Sequence, residues 1–93
     1  MLLYVIAYDI PNDKRRRKVA ELLEGYGQRV QFSVFEARLT PKQLQQLRDR
    51  LRRRLKFSED HVRIYPLSHH TESSILILGI GCSSLEPPTS QVV

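Results

Sequence analysis

The sequence predicts an α+β domain, a two-layer sandwich in which an antiparallel sheet carries both of its helices on one face. Three observations predict it. The first strand is apolar on both alternating sides. Two segments carry apolar residues at helical spacing behind recognisable caps, and the remaining apolar runs are short and strand-like. The order they give is strand, helix, one strand or two, helix, strand, strand.

Residues 2–10 open the chain. Leu3, Val5 and Ala7 fall on one side, and Tyr4, Ile6 and Tyr8 on the other. A strand half exposed to water alternates polar with apolar, so this one is expected to be central and covered on both sides. Asn12 or Asp13 can cap the helix that follows. Val19, Leu22, Leu23 and Tyr26 form its apolar stripe, and Gly25 and Gly27 end it. Residues 29–39 read as strand without Gly, Pro or Asn-Gly. They are one long strand, or two short ones divided by a bulge near Gln31 to Ser33.

Thr40-Pro41-Lys42-Gln43 marks the second helix, with a capping threonine, proline at the first helical position and glutamine three residues after the cap. Leu44, Leu47, Leu51 and Leu55 continue at helical spacing. Residues 61–67 and 75–80 are expected strands, and residues 68–73 a loop between them. The expected division is a domain over residues 1–81 and a loose or partner-crossing tail over 82–93, where Pro87-Pro88 stands. Leu3, Val5, Val30, Phe32, Val34, Leu44, Leu47, Leu51, Ile64 and Ile77 are the expected core.

Two helices cover only one face of a sheet, yet the first strand is apolar on both. In a chain of 93 residues the simplest cover for the other face is a second copy. A homodimer through that face is therefore expected.

Composition narrows the function. Fifteen Lys and Arg against ten Asp and Glu leave a net charge of +5, which suits a polyanionic partner such as nucleic acid. One cysteine, Cys82, excludes an intramolecular disulfide framework and a Cys-rich zinc site, and fits a reducing cytoplasm. No apolar run reaches the roughly 18 residues of a membrane span. Met1-Leu2-Leu3-Tyr4 lacks the basic n-region of a signal peptide, so a cytoplasmic protein with no membrane partner is expected.

Chemistry concentrates where the first strand ends. Asp9 has two readings: a turn-forming carboxylate accepting backbone N–H groups near Pro11-Asn12, or a metal ligand or general base at the mouth of a buried strand. One carboxylate is a poor magnesium site by itself. A dimer axis nearby would supply a second from the other chain. Directly afterwards come five consecutive cations, Lys14, Arg15, Arg16, Arg17 and Lys18. Positive charge in a first helical turn opposes the macrodipole, which makes sense where phosphate is received. Helical geometry puts Arg15 and Arg16 nearest the sheet, with Lys14 and Arg17 turned to solvent. Arg48, Arg50, Arg52, Arg53 and Arg54 sit toward the far end of their helix, where the dipole accounts for them. His69-His70 and His61 read as residues without chemistry. Ser33 has no His–acid partner, and Gly79-Ile80-Gly81 opens no phosphate-binding helix.

Residues 4–40 closely resemble the small CRISPR-associated adaptation protein, the lesser of the two core proteins of spacer acquisition. The likeness rests on Tyr8-Asp9-Ile10, the basic helix start, and Gly27 followed by Arg29-Val30-Gln31-Phe32-Ser33-Val34-Phe35. It extends to about residue 80. It implies a ferredoxin-like fold, a homodimer with facing sheets, and binding to a dimer of the larger integrase protein with duplex DNA across the basic surface. Members are magnesium-dependent endonucleases on single-stranded RNA or duplex DNA. The family's metal-binding aspartate matches Asp9, which is thereby the implied catalytic residue. Its basic positions match Arg16, Lys18 and Arg29, and its dimer-face aromatic matches Phe35. Arg15 and Arg17 join the expected nucleic-acid contacts, and Tyr4 and Tyr8 the expected dimer interface. Lys18 stands where some members have arginine, which a bidentate phosphate contact would need. Two alternatives stay open: a scaffold that bridges integrase dimers without hydrolysis, and an RNA-binding module with stacking aromatics on an open sheet face.

Overall fold

The computed structural model describes residues 1–79; the expected tail over 82–93 lies outside the described residues. Seven elements follow in the order β1 (Leu2–Asp9), α1 (Asp13–Glu24), β2 (Gln28–Gln31), β3 (Val34–Leu39), α2 (Pro41–Arg54), β4 (His61–Leu67) and α3 (His69–Glu72). The four strands form one antiparallel sheet in the order β2-β3-β1-β4, which makes β1 central. This is the ferredoxin-like arrangement.

Cross-strand register divides the side chains between two faces. Ile6 stands opposite Phe35 and Ile64, and Tyr4 opposite Ala37. Together with Tyr8 and Leu39 these residues pack against Val19, Ala20 and Leu23 of α1 and Leu47 and Leu51 of α2. That is the core. Tyr4 and Tyr8 are 8% and 6% exposed and Phe35 is fully buried, all beneath the helices. Tyr4, Tyr8 and Phe35, expected at a dimer surface, are thus covered by the helices of their own chain. The bulkiest side chains are used to fill the sheet-to-helix layer, where the most volume must be occupied.

The other face carries Leu3, Val5, Ala7 and Asp9 of β1, opposite Arg38, Glu36 and Val34 of β3 and Leu67, Tyr65, Arg63 and His61 of β4. Burial falls along it, from Leu3 through half-covered Val5 and Ala7 to exposed Asp9. The Leu3 end is sheltered by α3, which the Arg38 guanidinium tethers through a two-pronged ion pair with Glu72. That contact holds the Glu72 carboxyl below its usual range.

Residues 28–39 are two strands, not one. Phe32 and Ser33 make the turn between β2 and β3, and the register shifts between Arg29 and Gln31. No described residue other than glycine has positive φ, so the turn is not a primed type. The bulge at Val30 absorbs the resulting mismatch in twist. The turn also explains why Phe32, expected in the core, is 70% exposed. Gly27, just before β2, is required by close approach: a Cβ there would lie 2.1 Å from the Glu36 carbonyl oxygen.

The helix starts follow their caps. The Asn12 side chain accepts from the Arg15 N–H, and Thr40 and Gln43 complete the reciprocal capping box. Pro66, which cannot donate to a ladder, is tolerated because β4 lies at the edge of the sheet. Two expectations fail near the end. The loop over 68–73 contains α3, capped by Ser68. Residues 75–79 are not a strand: only Ile77 makes a bridge, and Ile75, Leu76 and Leu78 are exposed. Strand propensity without a paired neighbour does not make a ladder.

Candidate nucleic-acid and metal interface

β1 is the rod that aims Asp9. Its apolar side chains fix the strand in the sheet, and its last residue projects on the face that the helices leave uncovered, in register with His61. A shallow depression there is lined by Ala7, Tyr8, Asp9, His61 and Arg63. Asp9 is exposed and accepts none of the described N–H groups near Pro11-Asn12, so the turn-capping role falls to Asn12 instead. Along β4, the Arg63 side chain donates from Nε to His61 Nε2 at 2.9 Å and reaches the Tyr65 hydroxyl at 3.1 Å. His61, Arg63 and Tyr65 therefore form a polar row beside Asp9. The sequence reading missed it, although the alternation of β4 put these three residues on one side.

The cations after Asp9 divide into distinct groups. Arg15 donates from Nε to Asp60 at 2.7 Å and from a terminal nitrogen to Asp60 at 3.0 Å and Glu59 at 2.8 Å. The Asp60 side chain is completely covered, and it also accepts from the Lys56 N–H. The Arg15 hydrogen bond, above all, holds the Asp60 carboxyl below its usual value. Glu59 is lowered too, first by Lys56 and then by Arg15. Expected as a nucleic-acid contact, Arg15 instead bolts the start of α1 to the connection before β4. Its position near the sheet is what brings it within reach of those acids.

Arg16 donates to the Ile10 carbonyl at 2.9 Å, pairs with Asp13, and lies 5.9 Å from the Phe32 ring centroid. Arg29 donates to the Phe32 carbonyl at 2.7 Å, sits 5.2 Å from the Phe35 ring centroid and approaches Glu24 at 4.0 Å. These two fasten the β2–β3 turn against α1. Arg17 and Lys18 are exposed, with no ion pair to either among the described residues. Arg16, Arg17 and Arg29 line one cleft, and Lys18 a second with Arg53 and Arg54 of α2. Asp9 and the basic positions thus share one end of the molecule but not one pocket. His69 and His70 lie in α3, where His69 contacts the Met1 carbonyl through Nε2.

Residues 1–75 match the family model described as CRISPR associated protein Cas2. The chain belongs to the Cas2 family. A CRISPR-associated endoribonuclease Cas2 of Synechocystis sp. is 53% identical over 91 residues, covering 98% of this chain and 92% of its own. A CRISPR-associated endonuclease Cas2 of Thermus thermophilus is 51% identical over 79 residues, or 85% of this chain and 83% of its own. Among solved structures, a chain of a partial Cas6–RT–Cas1–Cas2 complex superposes with a TM-score of 0.72 at 39% identity, over 81% of this chain and 88% of that one. The family and the ferredoxin-like fold expected from the sequence are both correct. No helix among the described residues is long and apolar enough to cross a membrane.

Proposed function

We propose that this Cas2 family member acts in CRISPR adaptation as a twofold dimer that binds nucleic acid, associates with the larger integrase protein, and cleaves phosphodiesters with magnesium. The observation that carries the reading is the position of Asp9, an exposed carboxylate at the end of a half-covered apolar sheet face. Val5, Ala7 and Val34 give that face its apolar strip. Docking two copies through it would remove the strip from water, and a twofold axis passing by the end of β1 would bring a second Asp9 to the same site.

The donor chemistry fits magnesium only in that form. A carboxylate is the oxygen ligand this ion takes, and sites with one or two carboxylates plus water and substrate phosphate are its usual kind. One chain supplies too little: no group of three or more His, Cys, Asp or Glu able to hold a metal gathers among the described residues. Asp9 from each copy would hold the ion, which when bound activates water and offsets charge at the scissile phosphate. The residues of the chain do the rest. Arg17 and Lys18 receive the strand as free cations, and Arg16 and Arg29 keep the neighbouring turn in place. The names of the Synechocystis and Thermus relatives support hydrolysis, and the Cas1–Cas2 assembly supports the integrase partner. The setting for both is the cytoplasm.

The same sparseness favours a second reading, a scaffold that binds and bridges without cleaving. Purified chain incubated with single-stranded RNA and with duplex DNA, with magnesium and with chelator, separates the two. Magnesium-dependent products support the nuclease. Binding and a twofold mass in light scattering without any product leave the scaffold. A monomer at micromolar concentration would remove both.

A further inference from the structure

The cleft between α1 and the β2–β3 turn carries a group that phosphate binding does not use. Phe32 stands on the turn with 70% of its surface exposed, while Phe35 three residues later is completely buried. The backbone beneath the ring is fixed, because the Phe32 carbonyl accepts from Arg29 at 2.7 Å and from the Tyr8 hydroxyl at 3.3 Å. The Tyr8 N–H also donates to the Ser33 carbonyl at 3.1 Å. The result is a fixed pedestal for a ring that is exposed apart from the Arg16 guanidinium 5.9 Å from its centroid.

The cleft beside it has a volume of about 470 Å³ and is lined by Phe32, Arg16, Arg17, Arg29 and the acids Asp13, Glu21 and Glu24. Its charges are largely spent on one another, Arg16 with Asp13 and Arg29 with Glu24. A further phosphate gains little there. A flat, neutral group with hydrogen-bonding edges suits it better, and Arg17 at the same cleft is free to take an attached phosphate. We propose that Phe32 is a stacking platform for an unpaired nucleobase of a single strand, with Arg17 holding the adjoining phosphate. This rests on the nucleic-acid reading above and adds a preference to it. Bases inside a blunt duplex are already stacked and have no face to offer, so the site selects unpaired nucleotides.

The chain contains no tryptophan, so Phe32→Trp makes the turn the only source of indole fluorescence. Full-length variant is titrated with single-stranded RNA, single-stranded DNA of the same sequence, and a blunt DNA duplex at one low salt concentration. Quenching by a single strand, with little change on duplex binding, is the expected result; the strand that quenches more identifies the preferred sugar. Phe32→Ala should weaken single-strand binding roughly tenfold or more, hold duplex affinity within about twofold, and leave the melting temperature unchanged because the ring packs on no core. Single strands that bind without quenching, or equal losses on single strand and duplex, overturn the stacking site. So does an alanine variant that keeps its oligonucleotide affinities and loses only the integrase partner, which makes the ring a protein contact. If the unsubstituted chain binds none of the three, the nucleic-acid reading falls first and the platform with it.

Discussion

The two faces of β1 are alike in hydrophobicity and unlike in fate. Tyr4, Ile6 and Tyr8 are sealed beneath α1 and α2, whereas Val5 and Ala7 are half-covered and Asp9 is exposed. Size separates them. Large and aromatic side chains fill the thick layer between sheet and helices, and smaller ones make a flatter surface that another sheet can approach closely. An apolar pattern on both sides says that both faces get covered. The volumes of the residues say which face the helices take and which face they leave half-covered.

Truncation on each face tests that division, and the covered face should give the largest effect in the molecule. Phe35 is fully buried against Tyr8 and the helices, so Phe35→Ala should cost about 3–5 kcal/mol. In a domain this small that approaches the whole stability, and urea denaturation should show a marginal or unfolded protein. Val5→Ala should cost about 1 kcal/mol or less by the same measurement, and should instead shift the monomer–dimer equilibrium toward monomer in light scattering. Equal unfolding costs at the two positions would mean that the faces do not differ as described.

What was legible in the sequence follows the same line between local and distant causes. The start of the second helix could be read to the residue, because Thr40, Pro41 and Gln43 act on the backbone beside them. The division of residues 28–39 was legible only as an alternative to one long strand, since the turn at Phe32-Ser33 uses no glycine and draws its support from Tyr8 and Arg29. α3 is four residues long, too short to show a stripe. Asp9 was legible as a polar end on an apolar strand. Its neighbours on β4 were not, because register is a property of the folded sheet. The aromatic dimer surface failed for another reason: hydrophobicity does not tell one face of a two-sided strand from the other.

Arg15 offers the next largest effect and sharpens the comparison within the cation cluster. Its removal leaves the fully covered Asp60 carboxylate with the Lys56 N–H as its remaining described partner. Arg15→Ala should therefore destabilise the fold, read as a lower melting temperature than that of the unsubstituted chain. Acid should reveal the same pair. The folded pKa of Asp60 lies below its ordinary value of 3.8, so its stabilisation is complete above that value and is lost as pH falls through the lower folded one. Circular dichroism against pH should show acid unfolding of the unsubstituted chain in this range, and of the variant at higher pH. A variant with unaltered melting and acid midpoint would return Arg15 to the free cations.

Arg17 and Lys18 should behave in the opposite way. Both are exposed, so alanine at either position should change stability by no more than about 0.5 kcal/mol. Each should weaken oligonucleotide binding for all sequences alike and lower the slope of log affinity against log salt by about 1. Filter binding over a salt series reads this directly. A variant that changes sequence preference while keeping its salt slope would show base contact where phosphate contact is expected.

Asp9→Asn should have the smallest effect on folding and the sharpest on chemistry. The side chain is exposed and keeps its size and one carbonyl oxygen, so the melting temperature and the twofold mass should both persist. What is lost is the negative charge that attracts a hard divalent cation. Magnesium-dependent cleavage should disappear, while binding of oligonucleotide in chelator is retained or slightly strengthened, since each copy of a basic surface sheds one negative charge. The open face makes this informative in a way that a buried acid would not be, because loss of activity cannot be blamed on a disturbed core. Spacer acquisition in cells that survives the substitution assigns the main task to binding. A variant that unfolds would make Asp9 a structural residue, against its exposure, and undiminished cleavage by a folded variant would remove it from the site altogether.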